Sequence, residues 1–241
     1  MIDDLIHFFA SPSNRELVLD QLGEHVYLAL LPLLLGVLLA IPLGRAAQRA
    51  PRLRGFLLGA ANACYTIPSL ALFVLIPAII GTAQLSSINV VVALTLYTAA
   101  LLVRPVLDAL ESVPAHVTAA ATAMGYRMRR RFVAVELPLA VPVLAAGVRV
   151  ASVSNISLVS VGAIVGIGGL GRLFTDGFQR DYLTQIFVGI VLTLLLALVV
   201  DLLLVALWRA LTPWTRRTAA EPDTGTEPDA AAAPEPEVAR S

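Results

Sequence analysis

Residues 119–138 read AAATAMGYRMRRRFVAVELP and stand between two long apolar runs. Small residues come first, then Gly125, an arginine cluster and finally Val-Glu-Leu-Pro. Alanine favours helix, Pro114 suits the first turn of a helix and Gly125 suits a helix end. The sequence therefore predicts a short helix over about 114–124 that offers a smooth, small-residue surface to a partner on the cytoplasmic side.

The composition is that of a membrane protein. Of 241 residues, 58% are hydrophobic and 14% are charged, whereas a soluble domain carries about 25% charged residues. The formal net charge is zero, so nothing indicates a nucleic-acid partner. We expect a multi-pass protein of the cell membrane (plasma or inner membrane).

Charge-free runs predict five membrane-spanning helices, since one crossing takes about 20 residues. The first span covers residues 26–44. The uncharged stretch 55–103 is long enough for two spans, divided by the polar patch at 81–89. The fourth and fifth spans cover about 139–167 and 184–208. The predicted fold class is an all-α integral membrane protein.

Arginine placement predicts the orientation, because cytoplasmic loops are enriched in basic residues. Three alternate segments carry most of the arginines, namely Arg45, Arg49, Arg52 and Arg54, then Arg127, Arg129, Arg130 and Arg131, and finally Arg209, Arg216 and Arg217. The N-terminus is therefore expected outside and the C-terminus inside. The predicted domains are an extracytoplasmic segment at 1–20, a transmembrane domain at 21–212 with a docking loop at 113–137, and a disordered acidic tail at 213–241.

Polar residues inside two spans are candidates for a translocation pathway. Pro68 interrupts the second span and frees backbone groups that need partners in protein or a wet cavity. The fourth span carries hydroxyl and amide groups at roughly helical spacing. These groups face either water or a neighbouring helix, and the sequence leaves both readings open. The pathway candidates are Tyr65, Thr66, Pro68, Ser69, Ser152, Asn155 and Ser160.

Two ionisable residues lie well within predicted spans. Arg149 follows Pro138 by 11 residues, about 16 Å of helix, and Asp201 precedes Trp208 by seven residues, about 10 Å. Charges at such depths are costly and normally paired. We expect a buried salt bridge between Arg149 and Asp201, with contact to substrate as the alternative.

The segment 119–138 resembles the coupling loop of ABC-importer permeases, Glu-Ala-Ala-x3-Gly-x9-Ile-x-Leu-Pro. The matching positions are Ala120, Ala121, Gly125, Leu137 and Pro138. Val135 stands in place of the isoleucine and Ala119 in place of the glutamate. The resemblance implies that this loop couples the chain to a cytosolic ATPase.

Four further motifs resemble permeases of the osmoprotectant branch, which import glycine betaine, choline, carnitine or proline betaine. They are YTIPSLAL at 65–72, VELPLAVP at 135–142, AGVR at 146–149 and VGIGGLG at 165–171. The resemblance implies the five-helix type I fold, as in the methionine permease. It also implies a second permease subunit in a homo- or heterodimer, two cytosolic ATPase subunits and an extracytoplasmic binding protein.

The chain itself is expected to carry no cofactor and no metal. It has no lysine and no Gly-x4-Gly-Lys-Ser/Thr phosphate loop, so ATP and Mg²⁺ belong to the partner ATPase. His7, His25 and His116 are scattered, and no enzyme is predicted. The alternatives are an ABC permease for an amino acid or ergothioneine, and an ATP-independent secondary transporter.

Overall fold

The computed structural model describes residues 2–214, and this range contains no β-strand. Its helices are α1 Ile2–Ala10, α2 Pro12–Arg49, α3 Pro51–Thr66, α4 Ser69–Ile80, α5 Ser87–Glu111, α6 Ala115–Ala123, α7 Met128–Arg131, α8 Leu137–Gly162, α9 Gly171–Gln179 and α10 Leu183–Leu211. A π-helical segment, Phe132–Glu136, joins α7 to α8, and a 3-10 turn, Ala163–Val165, follows α8. The predicted tail lies outside the described residues beyond Trp214.

Within residues 2–214, four continuous helices are long and apolar enough to cross a membrane: α2, α5, the α7–α8 unit Met128–Val165, and α10. The second predicted span is instead a pair of helices, α3 and α4, bent by 103° at Ile67 and Pro68. The bend has a local cause, since proline lacks an N–H and forces the preceding residue into extended backbone. Counting the bent pair as one span gives the five spans predicted from the sequence.

The helices α2, α5 and α8 form the centre of the molecule, with α5 packed against both of the others. Two glycines on one face of α2 allow its close approach to α5. A Cβ added at Gly36 would overlap Thr98, and one added at Gly44 would overlap Val106. Small residues at contact points are the usual means by which membrane helices pack.

The helix α10 lies at the edge of this core, against α8 and α9. Over residues 194–207 every exposed position of α10 is apolar, namely Leu194, Leu195, Leu198, Val199, Leu202, Leu203, Ala206 and Leu207. A continuous surface of this composition matches the hydrocarbon interior of a bilayer.

Several predicted loops are helical. The α2 helix starts at Pro12, crosses the domain boundary predicted after residue 20 without a break, and continues to Arg49. The arginine-rich loop predicted after the first span is thus reduced to Ala50, because alanine and arginine continue the helix until Pro51 starts the next one. The stretch 168–183, between the fourth and fifth predicted spans, contains α9.

A buried histidine fastens the end of the molecule at which α8 leads into α9. His25 is fully buried; its Nε2 lies 3.0 Å from the carbonyl oxygen of Ile156, and its Nδ1 lies 3.1 Å from the backbone nitrogen of Leu170. An imidazole that donates at Nε2 and accepts at Nδ1 is neutral. Gly169, with φ +88°, donates its N–H to Glu24 beside this contact. The histidine therefore ties α2 to α8 and to the turn before α9.

The described parts of the three basic segments, namely 45–54, 127–131 and the end of α10 at Arg209, share the other end of the molecule, which we call the arginine-rich end. Arg54 of α3 pairs with Glu111 of α5 at 2.6 Å. Trp208 of α10 packs against the apolar cluster that contains Leu110 and Val113. This common location agrees with the prediction that the three segments lie on one side of the membrane. That this side is cytoplasmic remains a prediction.

Candidate functional site

The docking helix predicted from the sequence is α6, Ala115–Ala123, preceded by Pro114. Its end is a Schellman motif around Gly125, whose φ is +81°. The N–H of Gly125 donates to Thr122 at 3.0 Å, and the N–H of Tyr126 donates to Ala121 at 3.1 Å. A Cβ at Gly125 would meet no neighbouring atom, so the requirement for glycine is conformational rather than steric.

The alanines of α6 divide between two faces. Ala119 and Ala120 are exposed, whereas Ala121 is buried with 1% of its surface accessible. Ala121 therefore lies on the face of α6 that packs against the rest of the subunit, and Ala119 and Ala120 lie on the exposed face, which is accessible to a partner. Ala119, which replaces the glutamate of the resembled motif, lies on the open face.

A charged network holds the docking helix to the spans. We call it the Glu136 network, and its members are Arg45 and Gln48 on α2, Thr122 on α6, Arg131 on α7 and Glu136 at the end of the π segment. Arg131 donates to Thr122 Oγ1 and to Glu136 Oε1, both at 2.7 Å. Arg45 donates to Glu136 Oε2 and to Gln48 Oε1. Glu136 is 3% exposed and so accepts from two guanidinium groups inside the protein.

The Glu136 network extends to two further elements. Gln48 donates to the carbonyl oxygen of Leu110 on α5 at 3.1 Å. The guanidinium of Arg45 lies 4.6 Å from the centre of the Phe132 ring, in cation–π geometry. One set of hydrogen bonds thus connects α6 to α2, α5 and the start of α8.

A cavity of about 630 Å³ lies between α6 and the ends of α2 and α5. Thr118 of α6 and Leu110 of α5 are among the residues that line it, together with Arg45, Arg49 and Arg131. The docking helix is thus partly separated from the spans by open space. The Arg131 side chain bridges part of this separation.

The remaining residues of the matched motif lie on one helix. The fourth span, predicted to start at about residue 139, is α8, which begins at Leu137 with Pro138 in its first turn. A continuous helical unit extends back from this point to Met128. The π segment joins α7 to α8: Leu137 donates its N–H to Phe132, five residues back, just before Pro138, which has no N–H to donate. Val135 is half-buried within this segment.

The residues around Pro68 form an open, bent element. The freed carbonyl oxygen of Ile67 accepts a hydrogen bond from the Tyr97 hydroxyl of α5. The rings of Tyr65 and Tyr97 meet edge to face, with centroids 5.6 Å apart. Tyr65, Thr66 and Pro68 are exposed and Ser69 is half-buried, and Thr66 donates to Asn62 within its own helix at 2.8 Å.

The polar residues of the fourth span are dispersed. Asn155 is 2% exposed; its amide donates to Ala29 of α2 at 3.3 Å and its oxygen accepts from Thr98 of α5 at 3.0 Å. Helix–helix hydrogen bonding, one of the two readings left open by the sequence, therefore describes Asn155. Ser152 is also inside the subunit, with 1% exposure. Ser160 is half-buried and lines an apolar groove beside α9.

Arg149 and Asp201 form the predicted ion pair. Arg149 Nε lies 2.6 Å from Asp201 Oδ1, and its terminal NH2 lies 2.7 Å from Oδ2. The pair joins α8 to α10. The prediction that it is buried is wrong for the subunit as described, since the two side chains are 44% and 24% exposed. The reason is the edge position of α10, which leaves the α8–α10 contact at the surface.

No member of the Glu136 network was predicted from the sequence to be a site residue. The available signal was Glu136 itself, one acidic residue in the otherwise apolar run Phe132–Leu139. A carboxylate in such a run requires cationic partners, but the sequence does not show which of many arginines supply them.

Residues 33–217 match the family of binding-protein-dependent transport system inner membrane components. The chain belongs to this family. The match includes the docking helix, the Glu136 network and the bent helix pair. The ATP-independent secondary transporter considered as an alternative is therefore not favoured.

Sequence relatives cover most of the chain. It is 34% identical to the osmoprotectant import permease protein OsmW of Salmonella typhimurium, over 87% of this chain and 98% of that protein. It is 31% identical to the choline transport system permease protein OpuBB of Bacillus subtilis, over 83% of this chain and 91% of that protein.

Among solved structures, the inward-facing methionine ABC transporter MetNI matches with a TM-score of 0.76 at 23% identity, over 84% of this chain and 99% of that chain. This likeness establishes the type I importer fold that the sequence resemblance implies.

Proposed function

We propose that this chain is the permease subunit of an ATP-driven importer for osmoprotectants such as glycine betaine, choline or carnitine. The observation that carries the proposal is the docking helix α6 and its connection, through Arg131 and Glu136, to three membrane helices. A surface of small residues that is mechanically linked to the spans is what coupling to an ATPase requires. The cargo is proposed because relatives at 34% and 31% identity are named for osmoprotectants and for choline.

The proposed assembly contains two permease subunits, identical or different, two cytosolic ATPase subunits and one extracytoplasmic binding protein. ATP and Mg²⁺ bind to the ATPase subunits, because this chain offers no lysine for a phosphate loop. The arginine-rich end faces the cytoplasm, where Ala119 and Ala120 meet the ATPase. The opposite end, where His25 fastens α2 to α8, faces the binding protein.

An alternative is that the same type of importer carries a different class of cargo. An amino acid or ergothioneine would need the same docking helix and the same bent helix pair, so the coupling geometry does not distinguish these cargos. The methionine transporter shares the fold at 23% identity, which supports no inference about cargo. Osmoprotectants are therefore the preferred cargo class, because the sequence relatives are named for them.

Reconstitution in proteoliposomes tests this function. With the partner ATPase and the glycine-betaine-loaded binding protein, we expect import that depends on ATP and hydrolysis that the loaded binding protein stimulates. The variant Ala120→Arg places a long charged side chain on the open face of α6 and should reduce ATPase recovery in pull-down at least tenfold (about 1.4 kcal/mol). Ala120→Ser is the matched control and should recover the ATPase normally.

Two outcomes would refute the proposal. One is import of glycine betaine by the isolated subunit without ATPase or binding protein. The other is equal recovery of the ATPase by Ala120→Arg and Ala120→Ser, which would remove α6 from the docking surface.

A further inference from the structure

The open faces of two neighbouring helices differ in chemistry. Along α10 the exposed positions from 194 to 207 are apolar throughout. Along α8 the open face begins with small or apolar residues, Ala146, Val150 and Val153, but also carries the Arg149 guanidinium and the hydroxyls of Ser154 and Ser157. Only the first composition suits contact with lipid chains. The open face of α8 therefore borders something more polar.

The position of the ion pair also indicates a polar neighbour beside the open face of α8. Asp201 lies ten residues (211 − 201) before the end of α10 at Leu211, about 15 Å along the helix axis. A charged side chain at that depth is costly when it meets hydrocarbon. Even so, Arg149 is 44% exposed and Asp201 is 24% exposed. An exposed ion pair far from the helix end requires a polar neighbour, either water or protein, rather than lipid chains.

A groove of about 530 Å³ runs along this pair. Its walls are Ala146, Val150, Val153 and Ser154, with Arg149 and Asp201 as the charged members. Small and branched apolar side chains thus surround one positive and one negative pole. This arrangement can accommodate a small molecule that has apolar methyl groups and two opposite charges.

The guanidinium retains unused hydrogen-bonding capacity. An arginine side chain has five N–H donors, and the contacts to Asp201 engage two of them, at Nε and at one terminal nitrogen. The donors that remain can bind a second carboxylate without breaking the ion pair. The carboxylate of Asp201, in turn, can attract a cation that reaches the groove.

We propose that this groove is a transient binding site in the translocation pathway for a zwitterion that carries a quaternary ammonium group and a carboxylate. The cargo carboxylate binds the free N–H groups of Arg149, and its ammonium group lies towards Asp201. This inference rests on the proposed function and adds a contact site within it. Because the ion pair already satisfies most of both charges, binding is weak, as a pathway site requires for rapid release.

The test compares cargo imported per ATP hydrolysed in the complete complex, reconstituted with its ATPase and glycine-betaine-loaded binding protein. The variant Arg149→Lys keeps the ion pair but loses the planar donors, and should lower this ratio about tenfold, as expected for one lost charge-assisted hydrogen bond. The double variant Arg149→Met with Asp201→Leu removes both poles and should lower the ratio further. In both variants the stimulated ATP hydrolysis should stay within about twofold of the unsubstituted complex, a change of about 0.4 kcal/mol.

The matched control is a second exposed ion pair, Arg104 with Asp108 on α5, 2.9 Å apart and outside the groove. Its double variant, Arg104→Met with Asp108→Leu, should leave the ratio unchanged. If Arg149→Lys imports as much cargo per ATP hydrolysed as the unsubstituted complex, the proposed binding site is wrong, whether or not the double apolar variant assembles. If the unsubstituted complex hydrolyses ATP on stimulation but imports no glycine betaine, the proposed cargo is wrong, which is a distinct result.

Discussion

Two charged clusters, at two depths of the molecule, use the same residue types in opposite ways. In the Glu136 network one buried carboxylate accepts from Arg45 and Arg131, and the contacts connect α2, α6, α7 and the π segment. The Arg149–Asp201 pair connects only α8 and α10 and lies half-open beside a groove. The first cluster ties α6 to the spans through a buried carboxylate, whereas the second engages only two of the five N–H donors of Arg149.

Neutralising Glu136 should have the largest effect on stability and would test whether the first cluster is structural. Glu136→Gln keeps the shape of the side chain but leaves Arg45 and Arg131 without a counter-charge. Breaking a buried ion pair in this way costs about 3–5 kcal/mol. Thermal unfolding of the detergent-solubilised subunit should report the loss, together with weaker stimulation of the ATPase.

The control for that variant is Glu111→Gln, which removes the partner of Arg54. Both of those side chains are about 40% exposed, so the cost should stay below about 1 kcal/mol. Equal destabilisation by Glu111→Gln and Glu136→Gln would show that burial does not separate the two clusters.

A substitution at Gly125 tests whether the docking helix must end where it does. Gly125→Val places a β-branched residue at φ +81°, and the left-handed conformation costs an ordinary residue about 1–2 kcal/mol. We expect import to collapse while membrane insertion and protein level stay normal. Gly125→Asn tolerates this conformation better and should retain most of the import. Normal import by Gly125→Val would remove Gly125 from the coupling element.

The smallest predicted effect lies at the bent helix pair. Tyr97→Phe removes the hydroxyl that donates to the Ile67 carbonyl but keeps the ring against Tyr65. Hydrogen bonds between membrane helices contribute about 0.6 kcal/mol on average. A small drop in thermal stability with import nearly unchanged is expected. A large loss of import would instead make the Tyr97 hydroxyl part of the pathway.

The sequence predicted features whose signals are local. Pro114, the alanine run and Gly125 lie within twelve residues (114–125), and each acts on the backbone around it, so the docking helix and its end could be recognised. The break at Pro68 is local in the same sense. The start of the fourth span is local too, since Pro138 lies in the first turn of α8. Nothing in the sequence marks the π segment and α7, which extend this helix back to Met128.

Features that depend on distant residues could not be predicted in this way. Arg45 and Glu136 are 91 positions apart. Besides Arg45, Arg131 and Arg149, the described residues contain eleven other arginines, and the sequence does not show which arginine pairs with Glu136. Asn155 and Ser154 are neighbours in the sequence, yet the first packs against α2 and α5 while the second borders the groove. Hydroxyl and amide groups show polarity but not the direction in which a helix face points.

The π segment sets the direction in which the Arg131 side chain points relative to α8. A five-residue hydrogen-bonded step holds one residue more than the α-helical step it replaces, and each residue turns a helix by about 100° (360° over 3.6 residues). Everything before Phe132, including Arg131, is therefore rotated by that angle relative to a straight extension of α8. A chain shorter by one residue here would form an unbroken α-helix, in which Arg131 and Glu136 would still be neighbours at four-residue spacing, but α7 and the chain before it would be rotated by about 100° relative to α8. At this point the spacing of the chain, as much as its chemistry, sets the link between the docking helix and the membrane.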